Sequence, residues 1–287
     1  MKNVREVWIK AEHLLKLSKI TGFSIENIER NVLALRKQNG HTCVLELPIK
    51  YSPSLAGLIG YSLGDGHIGE NSTAFVYTSK NLSTINYVKD LVQETLGTHI
   101  FYRRYKECRG DVYFPYIVGE LLLKFGSVSG SKTDKSFSVS SWVMQGSKKI
   151  KRAFIRALFE DEGSVSIHRD TKRVVLALWK RKDLTWSLKL FLNQLGSLLG
   201  EFGIYSHESI AGIYMDKKGK EKVGIQITIR GKRNVARFKE EVGFQSATKR
   251  KRLEELIRSY KRDCWAEEVM TKEHIISSRK KLLSPKK

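Results

Sequence analysis

Two acid-glycine steps, Asp65-Gly66 and Glu162-Gly163, are the residues whose type and setting point most directly to chemistry. Each closes a helix-length apolar segment, LIGYSLGDG (Leu58 to Gly66) and IRALFEDEG (Ile155 to Gly163). A helix C-terminus carries about half a negative charge, so a carboxylate there is disfavoured by about 0.3–1 kcal/mol. The glycine is expected to supply the left-handed residue that stops the helix. One such acid is unremarkable; two at matching places call for a compensating cation. Gly60 and Gly64 share one helical face, as do Ala157 and Asp161, and small residues at that spacing let two helix backbones approach closely. If those faces pack, Asp65 and Glu162 end side by side. Two carboxylates, joined by helix-end oxygens such as the Gly64 carbonyl and by the adjacent Asp161, form a hard oxygen site suited to Mg2+ more than zinc. Ions held in that way on a phosphodiester activate water and stabilise the leaving oxygen. The plainer alternative is an ordinary Asp-Gly turn beside an ordinary small-residue pair.

The elements that must position these acids form a repeat. Segment A runs from LIGYSLGDGHI through an apolar strand, FVYTSK (Phe75 to Lys80), to a helix-like stretch, Asn81 to Gly97. Segment B runs from IRALFEDEGSVSI through VVLALWK (Val174 to Lys180) to a second helix-like stretch, Asp183 to Gly200. Val88, Leu91, Val92 and Leu96 share one helical face, as do Leu184, Leu188, Phe191, Leu192 and Leu195. Val223, Ile225, Ile227 and Ile229 alternate with polar or small residues, the pattern of a half-buried strand. Arg109 to Asp111 and Asp216 to Lys220 are the expected hairpin turns. Each repeat therefore reads helix, two strands, helix, two strands, helix: an α+β unit rather than a βαβ alternation.

Residues 1–50 differ. Leu14, Leu17 and Ile20 make one stripe, Thr21-Gly22 breaks it, and Ser24 can cap a second helix bearing Ile25, Ile28, Val32 and Leu35. That outline fits a helix-turn-helix, with a packing hairpin as the plainer alternative. The expected organisation is a helical extension over 1–50, a first repeat over 51–146, a second over 147–262 and a basic tail over 263–287.

The chain has 287 residues, enough for a substantial core, and 41% hydrophobic with 29% charged residues excludes wholesale disorder. Lysine and arginine number 52 against 30 acids, a net charge of +22 that fits a polyanionic partner. Cys43, Cys108 and Cys264 are scattered, which excludes a disulfide scaffold and a zinc ribbon and fits a reducing, cytoplasmic setting. No apolar run approaches 18 residues and the start lacks a signal-peptide core, so no membrane partner is expected. GSVSGSKT (Gly126 to Thr133) misses the glycine a P-loop needs before its lysine, where Ser131 stands. No GxSxG elbow or His/Cys cluster is present in the sequence. The chain lacks the nucleophile-first start and His-Asn end of an intein and reads as free-standing.

At the two motifs the chain resembles the LAGLIDADG homing endonucleases, in their single-chain form with two motifs. The literal LAGLI at Leu55 to Ile59 is out of register, because the acid-glycine ending fixes the frame. The resemblance extends to FGSVSGSKTDKSFSVSSWV (Phe125 to Val143) and VGFQSATKRKRLEELI (Val242 to Ile257), and covers roughly residues 50 to 260. It implies two αββαββα halves related by a pseudo-two-fold axis. The motif helices would pack centrally, beneath a saddle of two antiparallel sheets over the DNA major groove. It implies Asp65 and Glu162 as metal-binding catalytic acids. A basic residue late in each half, Lys132 and Lys249, would stand near the site, with Lys135 and Lys251 as alternatives. Asp161 departs from the family's pattern, standing where a small residue is common.

Candidate DNA contacts are His67, Tyr77, Lys80, Tyr102, Arg103, Arg104, Lys106 and Arg109 in segment A. In segment B they are His168, Arg169, Arg173, Lys180, Lys217, Lys218, Gln226 and Arg230, on strands whose alternate side chains can enter a groove. Lys172 joins them, and KRKR (Lys249 to Arg252) suits phosphates more than bases. The expected function is a monomeric, Mg2+-dependent, site-specific endonuclease cutting both strands of double-stranded DNA. The alternative is a non-cleaving nucleic-acid binder, either an intron RNA partner of the maturase kind or a DNA-binding regulator.

Overall fold

A computed structural model describes residues 11–35, 42–71, 73–97, 102–106, 109–168 and 171–260. Arg169 and the basic tail over 263–287 fall outside them. The chain opens with helices α1 (Ala11–Thr21) and α2 (Ile25–Glu29), then a two-stranded ladder of β1 (Ala34–Leu35) and β2 (Cys43–Val44). Ser24 caps α2, accepting from Asn27 N. The expected second helix through Leu35 stops at Glu29, because Ala34 and Leu35 are taken into strand pairing with Val44 and Cys43. Helix α2 is therefore five residues long, shorter than the expected second helix.

The first repeat follows as α3 (Pro53–Leu63), β3 (Gly66–Ile68), β4 (Phe75–Ser79), α4 (Leu82–Leu96), β5 (Tyr102–Lys106), β6 (Arg109–Phe114) and α5 (Tyr116–Phe125). A short helix, α6 (Ser141–Met144), leads to the second: α7 (Lys148–Glu162), β7 (Gly163–Ser166), β8 (Arg173–Arg181), α8 (Thr185–Glu201), β9 (His207–Met215), β10 (Glu221–Ile229) and α9 (Lys232–Glu241). Helix α10 (Ala247–Ser259) closes the described chain. The two antiparallel sheets have the same topology, β3-β4-β6-β5 and β7-β8-β10-β9, so the repeat visible in the sequence is a repeat of fold. Lys106 pairs with Arg109, which puts Arg109 to Asp111 in β6 rather than in a turn. The Asp216 to Lys220 turn forms as expected, with Asp216 accepting from Lys218 N and Lys220 N and Gly219 at φ +71°.

The motif helices lie against each other at the centre. Ser52 and Ser147 cap their starts by accepting from Leu55 N and Ile150 N, and Pro53 occupies a first-turn position where its missing N–H costs nothing. From Leu55 to Leu63 every residue of α3 is buried, since α7 covers one side and its own sheet and α4 the other. Gly60 is a point of close approach: a Cβ there would stand 2.7 Å from Ala157 Cβ and 2.8 Å from the Phe154 carbonyl oxygen. The side chains of Val88, Leu91, Val92 and Leu96 on α4, and of Leu188, Phe191, Leu192 and Leu195 on α8, are buried against their sheets. No described helix is long and apolar enough to cross a membrane.

Candidate nuclease site at the ends of the motif helices

Helix α7 runs directly into β7, and α3 reaches β3 through Gly64 and Asp65. The glycines after the acids are not left-handed as expected: Gly163 has φ −86° and ψ 149°, and Gly66 has no positive φ. Glycine is required there for space. A Cβ on Gly66 would meet Ser62 Cα at 2.7 Å and the Phe75 ring at 2.8 Å, and one on Gly163 would collide with the Phe159 carbonyl.

The helix-end carbonyls are met by lysines. Lys132 Nζ donates to the carbonyls of Gly64 and, at 2.8 Å, Gly66. Lys249 Nζ donates to those of Glu160, Gly163 at 2.7 Å and Phe159 at 3.4 Å. Each half thus brings one ammonium to the negative end of its own motif helix, where a cation is favoured. Burial lowers the pKa of both lysines, and the neighbouring acids oppose that, Glu162 foremost at Lys132 and Glu160 at Lys249.

Asp161 joins the halves. Its Oδ2 accepts from Asp65 N at 2.8 Å and its Oδ1 from the Tyr77 hydroxyl at 2.7 Å. A Cβ at Gly64 would collide with the Asp161 carboxyl, so this acid fills the space that the glycine leaves. Burial first, then Asp65, raises its pKa well above the usual carboxylate range. Asp161, an expected metal ligand, thus accepts one hydrogen bond on each oxygen inside the chain and also lines the cleft beside Asp65. The Gly64 carbonyl, also an expected ligand, accepts from Lys132 Nζ. One hydrogen bond and one peptide unit link Asp65 to Glu162. Glu162 is half-buried, and its pKa is raised by burial and by Asp65, with Lys132 and Lys249 working in the other direction. Asp65 is exposed, on the rim of an open cleft of about 970 Å³ that His67, Lys80, Asn81, Ser246 and Lys249 also line.

Glu160, which the spacing did not single out, is buried, and its Oε2 accepts from Gln245 N at 2.7 Å and Ser246 N at 3.1 Å. It thereby fixes the segment that delivers Lys249. The run Glu160-Asp161-Glu162 is the signal for it, since three successive acids sweep about 200° around a helix end whose inner side is packed.

Among the described residues no group of three acid, histidine or cysteine side chains converges into a ready-made metal cage. The expected donors, Asp65 and Glu162, would offer two carboxylates whose mutual repulsion a cation relieves. That fits Mg2+, which keeps its waters and takes one or two carboxylates together with substrate phosphates.

The expected DNA contacts separate into groups. His67, Lys80, His168, Lys217, Lys218 and Arg230 are exposed. Arg173 is half-buried, and Gln226 is half-buried with its amide on Ser209 Oγ at 3.1 Å. Lys172 reaches the Ser259 carbonyl. Tyr102, Arg103, Arg104 and Lys106 lie on β5 and Arg109 begins β6. Two cannot serve as DNA contacts. Tyr77 is 0% exposed, because alternation along β4 turns it with Phe75 toward the helices. Lys180 is 1% exposed, on the same face as Val174 and Leu176. Its Nζ meets the carbonyls of Lys132 and Lys135 and lies 3.6 Å from the Phe137 ring centroid. The ammonium on Lys180 holds the turn that carries Lys132. Lys135 pairs with Glu70 at 2.6 Å instead of reaching the helix end.

Residues 149–243 match the family model described as a LAGLIDADG-like domain. Among curated proteins, the chain is 27% identical over 241 residues to the tRNA-splicing ligase RtcB of Pyrococcus furiosus, covering 78% of this chain and 23% of that protein. It is 26% identical over 266 residues to the replication factor C small subunit of Thermococcus kodakarensis, covering 87% and 28%. The chain thus spans about a quarter of the length of the curated relatives it matches. Among solved structures, mesophilic variants of the homing endonuclease I-DmoI align at 14% identity and a TM-score of 0.44, over 71% of this chain and 98% of theirs. I-DmoI in complex with DNA and Mn aligns at 16% and 0.42, over 69% and 99%. Full-length DUF199/WhiA from Thermatoga maritima aligns at 14% and 0.45, over 81% and 69%. With the doubled sheet topology and the packed motif helices, the match over 149–243 identifies this chain as one with the LAGLIDADG fold.

Proposed function

We propose that this chain is a site-specific DNA endonuclease that hydrolyses both strands of a long duplex site, with Asp65 and Glu162 as its metal-holding acids. The observation that carries the reading is the doubled helix end: Asp65 follows the end of α3, Glu162 is the last residue of α7, Lys132 and Lys249 reach in from other segments to the terminal carbonyls, and Asp161 ties the two ends together. A structural interface needs no such pairing of acids against the helix field.

Mg2+ held there would supply water activation and stabilisation of the leaving oxygen. The chain's own residues do the rest. Asp65, exposed on the cleft, and Glu162, at the end of α7, are the two carboxylates that would hold the ion. Lys132 and Lys249 offset the negative helix ends, so that two carboxylates and an incoming phosphate can share one neighbourhood. Hydrolysis adds water across the phosphodiester, leaving one strand end as a phosphate monoester and the other as a hydroxyl. Exposed lysines at the β9–β10 turn and the net charge of +22 supply phosphate attraction without sequence information. Because one chain carries both acids, the active form is a monomer.

A second reading, a DNA binder that does not cut, is favoured by one observation: burial holds Glu162 toward its protonated form, which weakens a metal ligand. Incubating the full chain with a plasmid library of randomised inserts and Mg2+ separates the two. The nuclease reading expects linearised plasmids sharing a common site. Tight, salt-sensitive binding with no scission supports the second reading and overturns the first.

A further inference from the structure

We propose that Trp179 is a base-reading residue, which recognises the 5-methyl group of thymine in the major groove. The inference rests on the DNA partner of the preceding reading but not on cleavage. In β8, Val174, Leu176 and Lys180 turn toward the helices, so Trp179 lies on the opposite, open face of the second sheet. Its seat is made by two glycines. Trp179 pairs with Gly224, and Gly224 pairs with Gly212 on the edge strand. A Cβ on Gly224 would stand 2.8 Å from the indole, and one on Gly212 would stand 3.2 Å from it. The ring therefore lies against bare backbone across two neighbouring strands.

Glycine inside a strand weakens it and marks a close approach. Here the approach is that of an indole on the face that α8 does not cover. Tyr214 completes the platform, with its ring centroid 5.0 Å away at 67° and 46% of the residue exposed. Lys217 and Lys218 stand exposed at the adjoining turn, giving an apolar floor with a cationic rim.

The geometry selects the occupant. A duplex presents base edges in its major groove, and the one apolar group among them is the thymine methyl. A ring held flat on the sheet offers its face to such an edge. It does not project as a wedge between base pairs. The cationic rim suits the flanking phosphates, so the floor and its border fit one DNA segment.

The test uses the full chain in binding mode. Duplexes retained from a randomised pool without divalent cation define the bound sequence, and deoxyuridine then replaces each thymidine singly. At one or two neighbouring positions the wild-type chain should lose about fourfold in affinity, the scale of one buried methyl. Trp179→Ala should bind the same duplex without distinguishing the two bases there. Gly224→Ala, which displaces the indole while keeping it, should reduce the preference at the same positions and covers the case in which Trp179→Ala folds poorly. Uracil tolerated at every position by the wild-type chain overturns the assignment, as does an undiminished thymine preference in both variants. Failure of the wild-type chain to bind any duplex overturns the DNA reading itself.

Discussion

Gly60 gives the sharpest test of the helix packing on which the site depends. A Cβ there would stand 2.7 Å from Ala157 Cβ, against about 3.4 Å for ordinary contact, so a side chain must push α3 and α7 apart by roughly 0.7 Å. Overpacking of that kind costs about 1–3 kcal/mol. Alanine recovers about 1 kcal/mol of helix propensity relative to glycine, so Gly60→Ala should lose only about 0–2 kcal/mol. Gly60→Val adds two more methyl groups and forgoes much of that gain, and should lose about 3 kcal/mol or more. Gly200 is the control. It lies in α8, exposed, with nothing within 4 Å of a built Cβ, so Gly200→Ala should gain up to about 1 kcal/mol. Pairing Gly60→Ala with Ala157→Gly should recover part of the loss, since the Phe154 carbonyl at 2.8 Å remains in the way. Urea denaturation of the four variants measures these differences. A Gly60→Val protein as stable as wild type would refute the close approach and the placement of both acids with it.

Lys249→Met strips the ammonium from three helix-end carbonyls and should cost about 1–3 kcal/mol, read by chemical denaturation. Lys132→Met should behave alike, and the failure of either to destabilise would show that the carbonyls find other donors. Asp161 should set a pH dependence. Its pKa is raised in the folded state above the ordinary 3.8, so the native chain holds a proton that the unfolded chain has released. Its contribution to stability is fullest below that ordinary value and is lost as pH rises toward the folded one, by up to about 1.4 kcal/mol per pH unit. Asp161→Asn, whose amide can still accept from Asp65 N, should gain stability relative to wild type across that window. A constant difference between the two proteins at all pH values would contradict the buried, raised carboxyl.

The sequence carried the repeat, the motif helices and both sheets because each rests on local periodicity and on acid-glycine endings that mark where a helix stops. What it could not carry was long-range. Gly66 and Gly163 read as left-handed caps, yet they are needed because a strand follows closely on a helix with no room for a Cβ. Tyr77 and Lys180 look like groove-facing residues by type. Only the register of β4 and β8 turns them inward, where the Tyr77 hydroxyl finds Asp161 and the Lys180 ammonium finds two loop carbonyls. Asp161 stood out as an acid in a small-residue position, but its two hydrogen bonds span 96 and 84 residues of chain. The second N-terminal helix read too long because an apolar period says nothing of a competing strand pairing of Ala34 with Val44 and Leu35 with Cys43.

The most direct test of the account compares the wild-type chain with Asp65→Asn and Glu162→Gln on one duplex that all three bind. In Mg2+ the wild-type chain should make a double-strand cut, with each variant retaining affinity for the duplex while scission falls below detection. An Asp65→Asn protein that cuts the same position at the wild-type rate contradicts it.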